Sequence, residues 1–317
     1  MDFSYSAAIP TKNRPEELRH CIRQILKQKI KPEKIIVLDY GDLQKKDLID
    51  FLGSESHRLV FHKKRNKGLI SSLKLAPQLC ETPWLLLLDD DIYLQEDFME
   101  KMENAVQNYH RKNYLAGLAG YPLVPNQKKF SIRRILRKAA EKLFMMNGGV
   151  EGTFLPSGFC CDYGNGHHPE KPYRVQHVPG GLGLWRKSVL LKFRYDQNYK
   201  DYAYGNDKEF AYRVSRKHHL VCVPGAEAIH DKSPESRISL YRLGRMKTGH
   251  QYYFYHRVFR KNILSPLFFW WSMGGMVLIY FTGAIFSADP CGRLREVRGM
   301  MQGLRDKGVI PRKQDED

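Results

Sequence analysis

The run Trp84-Leu85-Leu86-Leu87-Leu88 ends abruptly on Asp89-Asp90-Asp91. An apolar stretch without polar alternation has no face to give to water, so as a strand it must be covered on both sides. In a chain of 317 residues that requirement selects a sheet interleaved with helices. The preceding sequence supplies them. Residues 5–9 form an apolar run before Thr11-Lys12-Asn13-Arg14-Pro15-Glu16-Glu17, where a proline and two acids mark a helix start. Leu18, Cys21, Ile22, Ile25 and Leu26 then recur at helical spacing. Residues 34–38 predict a strand ending at Asp39, 58–61 a second, 69–79 a helix and 84–88 the next strand. This order predicts an α/β fold with a mostly parallel central sheet and helices on both faces.

In such a sheet, ligands bind beyond the carboxyl ends of the strands. Those ends are acidic here: Asp39 after one strand and Asp89, Asp90 and Asp91 after another. Carboxylates crowded at a sheet edge repel one another and lose hydration, which is tolerated where a cation binds. Residues i and i+2 of an extended segment point the same way, so Asp89 and Asp91 face one ligand while Asp90 turns aside. The expected cation is Mg2+ or Mn2+, held by carboxylates and substrate phosphates. The chain as a whole is basic, with 52 Lys and Arg against 34 Asp and Glu, a net charge of +18, so its partners are expected to be anionic. An apolar fraction of 42% excludes a disordered chain, and 27% charged residues exclude a polytopic membrane protein. Six irregularly spaced cysteines and an N-terminus without a secretory apolar run fit a reducing, cytosolic setting. Cys160-Cys161 and His167-His168 lack zinc-site spacing, and the histidines are left as loop residues.

Thr11-Lys12-Asn13-Arg14-Pro15, the strand-end Asp39, Asn66-Lys67-Gly68 and Leu88-Asp89-Asp90-Asp91 resemble, in order and spacing, the successive motifs of family 2 glycosyltransferases with the Rossmann-like GT-A fold. Further on, Gly180-Gly181-Leu182-Gly183-Leu184-Trp185-Arg186-Lys187, then Phe193 and Asp196, then Gly205-Asn206-Asp207-Lys208-Glu209-Phe210 with Arg213, resemble the acceptor-side motifs. The resemblance implies an inverting, metal-dependent enzyme of hexosyltransferase type that uses a UDP-, GDP- or dTDP-sugar. It implies that Pro10, Thr11, Asn13, Arg14, Asp39, Asn66, Gly68, Asp89 and Asp90 contact the donor. Asp91, Asp89 and the late His230 would hold the metal, and Asp207 would be the base that takes the acceptor proton. Gly180 and Gly181 would let the backbone approach a sugar or form a plain turn, Trp185 would stack on a sugar face or fill the core, and Asn206 would complete the acceptor side. Asn206 stands where the family often has a carboxylate, and Tyr40-Gly41-Asp42 where it has small hydroxyl-bearing residues.

Two segments point to an anionic membrane surface. Residues 128–144 carry seven Lys or Arg against Glu141 alone, with Ile132, Ile135, Leu136, Ala139 and Leu143 on one face, the pattern of a helix lying on a bilayer. Residues 263–288 hold no charge and are long enough to span, yet Arg257, Arg260 and Lys261 precede them and Arg293, Arg295 and Arg298 follow. Cations on both sides predict a helix pair, broken near Gly274-Gly275, that re-enters or lies in plane; a single span and a buried oligomer interface are the competing readings. The expected organisation is a catalytic domain over 1–235, its nucleotide-sugar part about 1–120 and its acceptor part about 121–235, then a basic membrane-associated region over 236–317. The expected setting is the cytoplasmic face of the cell membrane, with a lipid-linked or cell-surface glycan as acceptor, as in bacterial polysaccharide biosynthesis, and no nucleic acid as partner. The alternatives are a nucleotidyltransferase-type enzyme, which needs a second carboxylate cluster, and a non-catalytic protein that binds membrane or nucleic acid through its net charge.

Overall fold

The structure of the protein, a computed structural model, describes residues 3–65, 68–109, 111–123, 132–164, 167, 169–199, 202–231 and 238–307. Along the chain run β1 (Tyr5–Thr11), α1 (Pro15–Leu26), β2 (Ile35–Asp39), α2 (Lys45–Leu52), β3 (Leu59–Lys63), α3 (Leu69–Leu79) and β4 (Trp84–Leu88). Then come β5 (Ile92–Leu94), α4 (Phe98–Asn108), β6 (Leu115–Leu123), α5 (Ile132–Leu143), β7 (Tyr173–Val175), β8 (Leu182–Arg186) and α6 (Lys187–Phe193). The last elements are α7 (Asn206–Ser215), β9 (His219–His230), α8 (Leu240–Arg257), α9 (Ser265–Ile285) and α10 (Pro290–Arg305). They divide into two compact units: Met1–Gln127, His168–Tyr202 and Asn206–Ser233 form the first, and Lys128–His167, Ala203–Gly205 and Pro234–Asp317 the second. The segment 128–167, expected within the acceptor part, thus groups with the C-terminal helices.

The first unit holds the whole described sheet, in the order β3-β2-β1-β4-β8-β6-β9-β5 with β7 on β9. The strands β3, β2, β1 and β4 are parallel, as the alternation of strand and helix predicts. Beyond β4 the sheet is mixed: β8 runs antiparallel between β4 and β6, while β6 and β9 are parallel to each other. Burial explains the sequence pattern. All residues of β2 and β4 are buried, and α1 packs Leu18, Cys21, Ile22 and Ile25 into a core shared with Ile9, Leu86 and Phe98. α1 begins with Pro15 and carries Glu16 and Glu17 in its first turn, where they complement the exposed amides.

The second unit is helical. Phe159, Tyr255, Phe269, Met273, Met276 and Met300 form its core. α8 and α10 approach at backbone distance, for a Cβ at Gly244 would overlap the Glu296 carbonyl and one at Gly299 the Tyr241 carbonyl. Among the described residues, α9 is the helix long and apolar enough to cross a membrane. It is continuous through Gly274-Gly275, against the expected break. Gly275 serves contact instead: a Cβ there would overlap the Phe144 ring, so the missing side chain makes room for a neighbour.

Candidate functional site

Strand register does the positioning. Thr11 pairs with Asp39, Leu88 with Leu182 and Ile92 with His230, which brings Thr11, Asp39, the Asp89-Asp90-Asp91 turn, Gly181 and His230 out at one edge of the sheet. The turn is pinned by its backbone. The Asp89 amide donates to the Gly181 carbonyl (3.1 Å), the Ile92 amide to the Asp89 carbonyl (3.2 Å) and the Asp231 amide to the Asp91 carbonyl (3.0 Å).

The three carboxylates then part ways. Asp90 is buried and turned back into the protein, accepting from Thr11 Oγ1 at 2.7 Å and Arg14 Nη1 at 3.0 Å. Arg14 Nη1 also reaches Asp91 Oδ2 at 3.3 Å, and His230 Nε2 lies 3.2 Å from Asp91 Oδ1. Ligand atoms of Asp89, Asp91 and His230 all fall within 4.8 Å of one another. Gly181 closes the group: a Cβ there would run into the Asp89 carboxylate, so only glycine lets the two strand ends meet. Burial, and next the charge of Asp91, hold the Asp89 carboxyl well above the ordinary carboxylate range, against the pull of His230. Burial acts on Asp91 in the same direction, but the hydrogen bond and charge of His230 and the charge of Arg14 outweigh it and bring Asp91 below that range. Two crowded carboxylates and an imidazole, one acid destabilised by the other's charge, are a donor set that a Mg2+- or Mn2+-like cation relieves.

The remaining donor-side residues cluster around the ends of β1 and β2. Pro10 lies on β1 beside Leu38. Asp39 is fully buried, accepting from the Gly41 amide (2.8 Å) and pairing with Lys63 Nζ (2.8 Å). Asn13 sits at φ 53°, in the left-handed region asparagine tolerates, and its side chain lies where a Cβ on Gly41 would be. Gly68, at φ 94°, precedes α3 and accepts from Lys64 Nζ at 3.1 Å. Asn66 lies outside the described residues.

Asp207 is in the first turn of α7. Its Oδ2 accepts from the Gly180 amide at 3.2 Å and lies 3.0 Å from His177 Nε2, which must carry the proton because a carboxylate only accepts. Burial pushes the Asp207 carboxyl up, yet the hydrogen bond and charge of His177, with the charge and amide of Lys208, bring it down to about 2. Asn206 beside it is buried. Trp185 corrects an expectation: it does not face the edge. It pairs with Leu85 and Gly117, well back from the strand end, and is buried edge-on against Phe210 (5.1 Å between ring centres). Side chains at Gly117 or Gly183 would overlap its ring, so the flanking glycines make room for a core tryptophan.

With that geometry in view, residues 6–161 match Glycosyl transferase family 2. The chain carries a glycosyl transferase family 2 domain. No curated protein matches the chain. Among solved structures it is similar to that of GalNAc-T7 with UDP, GalNAc and Mn2+, at 15% identity and a TM-score of 0.57, over 86% of this chain and 54% of the other. The chain therefore spans about half the length of that protein. It is also similar to the mannosyltransferase PcManGT from Pyrobaculum calidifontis in complex with GDP-Man and Mn2+, at 10% identity and a TM-score of 0.56, over 96% of this chain and 86% of the other. At these identities the likeness establishes a mixed α/β, GT-A-like fold.

The family 2 match contains Asp39 and the aspartate turn but ends before Gly180, Asp207 and His230, whose place at the site rests on the fold. Two residues near the site carry no sequence signal. His177 lies between β7 and β8 with no motif around it. The Tyr202 ring is largely exposed, but partial desolvation of its hydroxyl and then the charges of Asp89 and Asp91 raise its pKa.

Proposed function

We propose that the protein is an inverting, metal-dependent glycosyltransferase that moves a sugar from a nucleoside-diphosphate donor to a lipid-linked or glycan acceptor at the cytoplasmic face of a membrane. The observation that carries this reading is the meeting of Asp89, Asp91 and His230 within 4.8 Å at the sheet edge, the two aspartates inside the family 2 segment. Those three residues would hold Mg2+ or Mn2+, which when bound neutralises the charge of a departing diphosphate. The similar proteins named above were solved with Mn2+ and UDP or GDP-Man, which supports this choice of cofactor and donor class.

The chain's own groups supply the rest. Arg14 holds Asp90 and Asp91 together and so fixes the orientation of the turn. Asp39 and the Asn13–Gly41 contact offer the nucleoside a buried carboxylate and a rigid wall. Asp207, anchored through Oδ2 by Gly180 and His177, is ionised at neutral pH and takes the proton of the attacking acceptor hydroxyl. Displacement from the face opposite the diphosphate inverts the anomeric centre.

Calorimetry with UDP, GDP and dTDP, each with Mn2+ or chelator, tests the donor site. Metal-dependent binding of one of them, lost in Asp91→Ala, is expected; binding unaffected by chelator and by Asp91→Ala overturns the metal assignment. The anomeric configuration of the product, read by NMR, tests inversion.

A further inference from the structure

We propose that α5 and α9 form one docking surface that lies in the plane of an anionic membrane leaflet, with α9 resting in the interface and not threading the bilayer. This deepens the membrane reading above and rests on it.

At 21 residues α9 is about 32 Å long, at a rise of ~1.5 Å per residue, enough to cross the hydrocarbon layer. Its two faces are unlike. Phe269, Ser272, Met273, Gly275, Met276 and Ala284 are buried in the second unit. Leu267, Trp270, Trp271, Leu278, Phe281 and Ile285 are exposed, each by about half or more, and recur at helical spacing as one stripe along the full length. A helix buried on one side and bare and apolar on the other offers one face to lipid whether it crosses or lies flat, so the charges packed around it decide its orientation.

α5 runs beside it in the opposite direction. Arg133 near the start of α5 donates to the Phe286 carbonyl just past the end of α9. At the other end, Trp271 Nε1 donates to the Leu143 carbonyl (3.0 Å) and Ser272 Oγ to that of Phe144 (2.6 Å). Within α5 every residue is at least partly exposed, and Ile132, Ile135, Leu136 and Leu143 are bare. The same helix carries Arg133, Arg134, Arg137, Lys138 and Lys142 against the single acid Glu141. Threading α9 through a bilayer would draw those cations into hydrocarbon, together with the pair at Tyr280, where Arg137 lies over the ring (5.6 Å) and Lys247 donates to the hydroxyl (3.0 Å). Lying flat leaves them at headgroup level.

Charge selects the occupant. No acid occurs between Ser236 and Ala288, and Arg257, Arg260 and Lys261 precede α9 while Arg293, Arg295 and Arg298 follow it. A second copy would bring like charges together; an anionic leaflet matches both the cations and the apolar stripe.

The test is flotation of the full chain with phosphatidylcholine vesicles, with and without phosphatidylglycerol. Variants are Leu278→Ser/Phe281→Ser and Lys138→Gln/Lys142→Gln, with thermal unfolding as the check on folding. Binding is expected to need phosphatidylglycerol and to be released by high salt or alkaline carbonate. The charge variant should bind roughly thirtyfold more weakly, at ~1 kcal/mol per cation, and the apolar variant more than about tenfold. Equal binding to neutral vesicles, retention in carbonate, or wild-type binding by both variants overturns the proposal. So does a salt-resistant dimer that both variants abolish, without vesicle binding. Metal-dependent nucleotide binding, measured without vesicles, tells failure of the dock from failure of the transferase reading.

Discussion

Asp89 and Asp207 are the same residue type, both at the functional edge and each beside a glycine whose backbone approaches it, yet their surroundings drive them in opposite directions. Asp89 feels most strongly the charge of another carboxylate, Asp91, and is held well above the usual range; Asp207 has His177 and the Gly180 amide and is held at about 2. Burial pushes both up, so burial is not what separates them. A carboxylate whose neighbour repels it is made for a positive ion. A carboxylate already served by donors stays charged by itself, at some cost in basicity, and is available as a base only as the acceptor oxygen gives up its proton in bonding to the sugar. On the proposed assignment, the turn and the helix start split cation binding from base chemistry by partner choice.

The largest expected effect breaks the first half of this contrast. Asp91→Ala should lower turnover by at least about a thousandfold, because the diphosphate loses its charge neutralisation, with calorimetry showing loss of metal-dependent nucleotide binding. Asp207→Asn should lower kcat by about 10^2 to 10^4, the range for removing a general base, while donor affinity stays within about twofold. Normal turnover in that variant would remove Asp207 from the mechanism.

His177→Ala sharpens the comparison. Without His177, Asp207 keeps the Gly180 amide and the charge and amide of Lys208 against burial and should titrate higher. In the wild type Asp207 is ionised down to about pH 2, so it places no acid limb on kcat in the assay range. The variant should acquire one, with neutral-pH activity less affected than activity near pH 5; a profile of unchanged shape would make His177 merely structural. Linkage gives the same sign for stability. The folded pKa of Asp207 lies below its unfolded value, so its contribution is present above about pH 4, the ordinary carboxylate range, and disappears as pH falls towards 2. Removing His177 should move that loss to higher pH in an acid-unfolding titration.

The smallest effect concerns a residue outside the contrast. Trp185→Phe should cost about 1–3 kcal/mol of stability, as core truncations do, and leave the KM for donor and acceptor unchanged. A rise in acceptor KM without a change in melting temperature would return Trp185 to the site.

Local pattern made the parallel half of the sheet legible. β4 and α1 lie where an apolar run and a helical stripe predict them, because each is specified by its own residues and by the turn chemistry beside it. The antiparallel passage of β8 between β4 and β6 was not legible, since it depends on pairing between segments about a hundred positions apart. Trp185 shows the same limit: its surroundings are glycines on a different strand as well as its own, and residue type alone favours neither core nor sugar. His177 escaped notice because its partner is 30 positions away. The Gly274-Gly275 pair misled for a related reason: a glycine that permits close packing and one that breaks a helix look alike until the packed ring is known.

The register of β5 against β9 has a consequence in time. It gives the aspartate turn its imidazole at His230, 139 positions after Asp91, whereas Thr11 and Arg14 emerge from the ribosome before the turn they brace. A nascent chain can therefore close the Arg14 bracket early, but it has no complete cation site until β9 has been synthesised and has docked beside β5. On the proposed assignment, metal capture by the three-ligand set therefore waits until most of the sheet exists.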